Sequence, residues 1–513
     1  MKLNNPLVGL AGVLIAAMST ELNSTLSAIA LPDITGGFGI SHDAATWFAS
    51  IYATAVVVGM CLAPWLAVTF TLRRVSLFAI ALACLTTVMV PFAPNVEVLY
   101  LIRAAQGLAG GLTTPLLMTT ALRVLAPPIR LYGLACYALT ATFFPSLSNT
   151  IAALWGDVLN WHFVFYQSIP LAALAAALVW SGMPIDDPCY ERLSQFDWRG
   201  LLLIILGLGS FTTLLQQGNR FDWFHSQSIC LLALISVIAI PLLILNEWFH
   251  PLPLLKLQFL TRRNFAYGVT TLCVFLIIGA LMTELPAVYL EEVQGYRPLQ
   301  THLITLTIAL MQLLLLPLAA WILDFKWLDS RLVSFIGLLC VLISSVGASY
   351  LDVHWNRDQF YLWMLFLSIG EAAIVVPLLM MATNAVKGPH EGPFASALVN
   401  APRAVAETVG VWLLQLIFRF RGGLHGNRIV DHLGSQTYLH LSGNGGHLLA
   451  TAGSVGASPR EIAELAARVQ IQTLILTISD GYLIVAALAV GLMIWVSTFP
   501  ERTYPPRIQF ARH

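Results

Sequence analysis

Six ionisable side chains stand where a bilayer would have to surround them. Glu21, Glu284, Glu371, Glu407, Arg103 and Arg403 each lie well inside a long apolar run. A charge at the centre of a membrane costs about 2.5–3.5 kcal/mol on insertion scales, so it normally faces a cavity or a partner. Removal from water favours the neutral form of a carboxyl group. An acid in this setting can take a proton from one side and release it to the other, or attract a cation while ionised. Glu371 is near the centre of its run, after Ser368-Ile369-Gly370 and shortly before Pro377. Glu21 is equally central, on a stretch rich in Ser, Thr and Asn that predicts a wet face. Glu284 stands nearer the end of its run, within reach of the headgroups. Glu407 follows Arg403 by four residues, one helical turn, where the two can neutralise each other. Asp43, Asp157 and Asp222 read as boundary residues.

The elements that hold these groups are fourteen apolar runs, near 7–31, 44–70, 74–93, 97–119, 130–154, 163–183, 199–217, 226–246, 265–290, 301–323, 332–350, 359–383, 393–418 and 473–497. A hydrocarbon core of about 30 Å needs roughly 20 helical residues to cross it. Backbone groups in that core must all be paired, and the runs lack the alternation of a barrel strand, so helices are expected. The fold class is therefore an all-α polytopic membrane protein. Mean hydropathy of +0.78 agrees, as does a charged fraction of 10% against about 25% in soluble chains. With Lys+Arg and Asp+Glu both at 26, nothing points to nucleic acid. The seven cysteines are scattered, form no C-x-x-C pair, and read as small apolar packing residues. The N-terminus leads straight into the first run without a cleavage signature, which predicts a retained span.

Lys and Arg set the orientation. Arg73, Arg74, Arg123, Arg130, Arg192, Arg199, Lys256, Arg262, Arg263 and Arg331 fall on one side, while the short loops opposite hold only Arg220, Arg297 and Arg357. Both termini are thus expected in the cytoplasm. The one sizeable extramembrane segment is 419–472. Its Gly422, Gly423, Gly426 and the run Ser442-Gly443-Asn444-Gly445-Gly446 predict a flexible loop. Ser458-Pro459 then opens a helix with Glu461 and Glu464 in its first turns and Ile462, Leu465, Ala466 and Val469 on one face. That helix suits a membrane surface or a docking partner. The chain carries no P-loop, no H-E-x-x-H, no G-x-S-x-G and no histidine cluster, which leaves no enzyme chemistry in view.

Several stretches resemble the major facilitator superfamily, in particular its fourteen-span drug:proton antiporter branch of the EmrB/QacA type. Asp197-Trp198-Arg199-Gly200, Gly207, Gly209 and Gln217-Gly218-Asn219-Arg220-Phe221-Asp222-Trp223-Phe224 are similar to that branch's D-W-x-G…G-L-G…x-G-x-x-x-D-W-F pattern. Pro253-Leu254-Leu255-Lys256-Leu257, Arg263-Asn264-Phe265 and Tyr289-Leu290-Glu291-Glu292-Val293-Gln294-Gly295-Tyr296 resemble its second half. Arg103-Ala104-Ala105-Gln106-Gly107, with Gly110 and Gly111, is similar to the superfamily's R-x-x-Q-G. Other positions depart from the pattern. The first run has Asn23 where the family has Asp, Ala28 where it has Asn before Leu31-Pro32, and an extra carboxylate at Glu21. The loop after the second run keeps only Arg73-Arg74 of its usual motif. The fifth run has Ser148-Asn149 and Ala152-Ala153 in place of G-P-x-x-G-G, before Trp161-His162-Phe163.

The resemblance implies two six-helix bundles, at 1–184 and 265–513, with two extra transmembrane helices and linkers at 185–264 and a long external loop at 419–472. It implies alternating access around a midplane site and proton-coupled export of amphipathic or aromatic small molecules across a bacterial inner membrane. Glu21, Arg103, Glu371 and Glu284 are then the candidate proton-coupling residues. Asn23, Gln106, Phe144, Arg403 and Glu407 are the candidate substrate contacts. The driving force would be the proton gradient, with no cofactor. Expected partners are the substrate, membrane lipid, and a periplasmic adaptor with an outer-membrane channel. The eroded fifth-run motif keeps a metabolite importer open, and the lost loop aspartate keeps a non-transporting sensor open.

Overall fold

A computed structural model describes every residue except 1–5, 30–35, 37–38, 40, 126–129, 159–162, 185, 326–327, 385–390, 435–458 and 499–513. The Leu31-Pro32 and Trp161-His162 parts of the motifs, the glycine run at 442–446 and Ser458 lie outside those residues. So do the side chains of Asp43 and Asp157. The helices are α1 (Pro6–Ile29), α2 (His42–Phe70), α3 (Leu72–Met89), α4 (Val96–Val124), α5 (Arg130–Ala138), α6 (Phe143–Val158), α7 (Ser168–Gly182), α8 (Trp198–Gln217), α9 (Gln227–Phe249), α10 (Arg263–Glu292), α11 (Pro298–Leu323), α12 (Ser330–Ala348), α13 (Arg357–Asn384), α14 (Gly392–Gly434) and α15 (Pro459–Ser497). Among the described residues, 11 helices are long and apolar enough to cross a membrane. The other expected spans coincide with α4, with the broken pair α5–α6, and with the short apolar α7. The arrangement is consistent with fourteen crossings.

Close helix contacts are built on small residues. Without a hydrophobic drive between helices in lipid, packing and backbone approach decide which pairs associate. A Cβ on Gly107 would lie 2.4 Å from the Tyr52 carbonyl oxygen, and one on Gly111 would lie 2.2 Å from that of Val56. The glycines of the fourth run therefore press α4 onto α2. Gly337 and Gly370 do the same between α12 and α13.

α1–α7 form one bundle and α10–α15 the other, touching through α6 on α11 and through α14 on α2 and α4. α8 and α9 pack together on the flank, against α2 and α14. A polar ladder fixes α8 to α2. Thr46, Ser50 and Thr54 recur every fourth residue on one face of α2 and meet Arg220, Gln217 and Thr213 at 2.7, 2.7 and 3.0 Å. Within α8, Ile204–Gly209 is a π-helical stretch.

Two expectations need correction. The run at 130–154 is not one helix. Leu139–Thr142 break it, with Thr140 and Ala141 donating to Tyr137 and Ala138, three residues back. Pro145 explains the break, since it has no N–H and its ring collides with the carbonyl four residues earlier. Within 419–472, the described residues 419–434 are helix rather than loop, and 459–472 begin the last span rather than form a separate surface helix. α14 continues unbroken to Gly434, and α15 runs from Pro459 straight into the last span. Gly422 and Gly426 are packing residues, their Cβ positions lying 3.6 and 3.7 Å from Thr477 and Thr473 of α15. Arg421 and His425 both reach Asp480, at 2.6 and 2.5 Å. The cysteines also differ from expectation, because Cys189 and Cys230 are exposed.

Candidate functional site

Where α1, α2, α4, α8 and α14 converge there is a cavity of ≈ 190 Å³. Thr20, Glu21 and Ser24 enter it from α1, Tyr52 from α2, Gly110 and Thr114 from α4, Gln216 from α8, and Arg403, Glu407 and Thr408 from α14. The wall thus takes groups from both bundles and from the flanking pair. Two carboxylates and one guanidinium share a space lined otherwise by hydroxyls, the Gln216 amide and apolar side chains such as Val56 and Met60.

Arg403 holds the broken span in place. It is 3% exposed, and its Nε donates to Glu407 Oε1 at 2.9 Å. Its other two nitrogens donate to the hydroxyl and the carbonyl of Thr140, both at 2.7 Å. A helix break inside a membrane leaves backbone carbonyls that water cannot reach, so another helix must supply the donors. One planar guanidinium does so here, since its fork can serve several acceptors at once. One turn earlier in α14, Asn400 accepts from the buried Tyr137 hydroxyl at 2.7 Å. Ser396 donates to the Pro115 carbonyl of α4 at 2.7 Å. Ser396, Asn400 and Arg403 thus form a polar edge that binds α14 to the opposite bundle.

Arg103 lies behind the cavity. Buried to 1% exposure, it rests on the faces of Phe48 and Tyr52, 4.0 and 4.3 Å from their centroids. It donates to Gln106 Oε1 at 2.6 Å. Gln106 and Asn23 both donate to the Thr87 hydroxyl at 2.8 Å, and Thr87 donates to the Ala83 carbonyl. Tyr52 joins the two regions. One face of its ring covers Arg103, the ring borders the cavity, and its hydroxyl donates to the Thr20 carbonyl at 3.3 Å.

The residues singled out from the sequence fall into three places. Glu21, Arg403 and Glu407 line the cavity. Arg103, Gln106 and Asn23 form the buried network next to it. Glu371 is elsewhere in the second bundle, 6% exposed, accepting from Gln312 Nε2 at 3.0 Å. Glu284 is exposed on α10, and Phe144 is buried in the core against Phe143. Thr140, Tyr137, Asn400 and Gln216 did not stand out in the sequence. Pro145 was the available signal for the first of them. Among the described residues no three of His, Cys, Asp and Glu gather at metal spacing.

A cavity walled by two helical bundles, with ionisable groups held at membrane depth, defines a membrane transporter. The sequence model of the Major Facilitator Superfamily matches residues 13–411, and the chain belongs to that superfamily. It is 24% identical over 443 residues to the multidrug export protein EmrB of Haemophilus influenzae, covering 83% of this chain and 84% of that one. It is 25% identical over 427 residues to the probable multidrug resistance protein EmrY of Escherichia coli, covering 81% and 80%. The solved proton:xylose symporter XylE shares the fold, with a TM-score of 0.58, 13% identity, and 99% and 98% of the two chains covered.

Proposed function

We propose that the chain is a multidrug-type exporter that moves amphipathic or aromatic small molecules out across the inner membrane, driven by the proton gradient without a cofactor. The observation that carries this reading is the cavity in which Glu21 and Glu407 share a wall with Arg403. A carboxyl group there can be neutral or ionised according to which side of the membrane the cavity opens to. An ionised pair beside one guanidinium leaves a net negative wall that suits a cationic amphiphile. A protonated one releases it. Arg103 acts through Tyr52, positioning the ring that borders the site. Glu371 serves the second bundle. The names of the curated relatives support the direction and the substrate class.

In this reading the bundles at 1–184 and 265–513 rock about the cavity, and the termini are cytoplasmic. The paired ends of α14 and α15 project outward and dock a periplasmic adaptor. Shortening that pair while adaptor co-purification stays intact would remove this part of the proposal. The main test is efflux of fluorescent lipophilic cations from cells, with and without a protonophore, for wild type, Glu21→Gln and Glu371→Gln at matched expression. Protonophore-sensitive efflux abolished by Glu21→Gln is expected. Accumulation of dye inside vesicles of native orientation would reverse the direction, and efflux indifferent to the protonophore would end the proton-coupled reading.

A further inference from the structure

On the far side of α14 from the cavity lies a second opening, an apolar slot of ≈ 450 Å³ between the flanking pair and the second bundle. Leu208 of α8, Ile240 and Ile244 of α9, Ile277 of α10, and Pro402 and Val405 of α14 line it, and among the described residues no charged side chain does. The linker residues Leu255, Leu257 and Leu260 close one end, and Ile244 and Leu260 are 49% and 42% exposed, so the slot opens sideways. Leu260 is also the rim of a different cavity, of ≈ 620 Å³. That one is walled by the hydroxyls of Thr261, Thr270 and Thr498, by Tyr267 stacked on Trp495 at 5.7 Å, and by Arg263. Arg263 is exposed and makes no hydrogen bond or ion pair among the described residues. Lys256, between Leu255 and Leu257, stands at the same end of the slot, its ammonium 5.6 Å from the centroid of the Phe259 ring.

We infer that these two cavities together bind one membrane phospholipid with an anionic headgroup, an acyl chain in the slot and the phosphate at Arg263. The order of chemistries along the surface is that of the lipid. A wholly apolar channel at membrane depth leads across Leu260 to a zone of hydroxyls, stacked Tyr and Trp, and cations. Tyr and Trp favour the headgroup level, and basic side chains there attract anionic lipid. The charge decides between occupants, since an apolar solute would use the slot and leave the cationic end unmatched. A seated chain would lie along Val405 and Val409, the flank of α14 beside the residues that face the central cavity.

The test is native mass spectrometry of the full-length transporter exchanged into phosphatidylglycerol or phosphatidylcholine, with the mass of any retained lipid identified. One phosphatidylglycerol retained through detergent washing, in preference to phosphatidylcholine, is expected. Arg263→Gln should weaken retention about fivefold, the effect of one surface cation, and Lys256→Gln should act in the same direction. Val405→Trp, which fills the slot, should abolish retention. Ile244→Trp fills it from the lipid side and replaces that variant if it fails to fold. Leu231→Trp, on a lipid-facing position 57% exposed, should retain the lipid. The inference is overturned if the wild type retains no lipid, if both lipids are held equally with Arg263→Gln unchanged, or if the slot-filling variants bind as the wild type does.

Discussion

Replacing Arg403 with lysine keeps the charge and removes the fork. In the structure the guanidinium makes three contacts, two to Thr140 at 2.7 Å and one to Glu407 at 2.9 Å. A lysine ammonium reaching the same region can keep the pair with Glu407 and at most one Thr140 acceptor. Arg403→Lys therefore loses at least one hydrogen bond from a charged donor, about 1.5–3 kcal/mol. Thr140→Val removes the hydroxyl half of the same arrangement and should cost a similar amount. The double variant should cost little more than either single one, because both remove the same bond. Glu407→Gln should be mild, about 0–1 kcal/mol, because the Glu407 side chain is 46% exposed and its ion pair is screened. The assay is reversible unfolding in mixed micelles titrated with denaturing detergent, for the four variants and the wild type. If Arg403→Lys and Thr140→Val add to within about 0.5 kcal/mol, the two residues are not coupled and the clasp is wrong. If Glu407→Gln costs more than Arg403→Lys, the ion pair rather than the helix break is what Arg403 serves.

Gly111→Ala should drive α2 and α4 apart, since its Cβ would meet the Val56 carbonyl at 2.2 Å. Backbone cannot swing away as a side chain can, so the cost is at least about 1–3 kcal/mol, and wild-type yield of monodisperse protein would refute it. Gln312→Leu should leave Glu371 without its amide donor, costing about 1–3 kcal/mol, with Glu371→Gln milder than Glu371→Leu in the same unfolding assay. In the loop between α8 and α9, Asp222 pairs with Arg419, whose hydrogen bond holds the Asp222 carboxyl below its ordinary range. A depressed carboxyl contributes stability that is present above its unfolded value, near 4, and lost as pH falls through the folded one. Asp222 and Trp223 both sit at positive φ, 55° and 54°, a conformation that needs such tethers. Hydrogen-exchange protection of residues 218–226, taken relative to the intrinsic rate at each pH, should be high at pH 7 and fall below pH 4. Asp222→Asn should show low protection throughout, and identical profiles would dissolve the tether.

The spans were legible because lipid imposes one rule on every residue that crosses it. The long apolar runs at 265–290 and 301–323 coincide with α10 and α11. Backbone approach was legible at Gly107 and Gly111, where nothing larger than hydrogen fits against α2. What stayed hidden depended on partners distant in sequence. Gly422 and Gly426 carry the composition of a loop, and only α15 lying against them turns that composition into a helix-packing face. Arg403 and Glu407 were readable as a pair four residues apart, whereas the Thr140 carbonyl is 263 residues from the arginine that satisfies it.

The same comparison bears on the eroded motif of the fifth run. Its expected glycines and proline are absent, yet the span is still broken, at Leu139–Thr142 before Pro145. A break in a membrane helix stands only when another element supplies its hydrogen bonds. Here that element is α14, through Arg403, the helix that also places Glu407 in the cavity wall. Any movement of α14 relative to the first bundle must therefore change both the acceptors at the break and the acid at the site. The break and the cavity wall are joined through one guanidinium, which donates to Thr140 on one side and to Glu407 on the other.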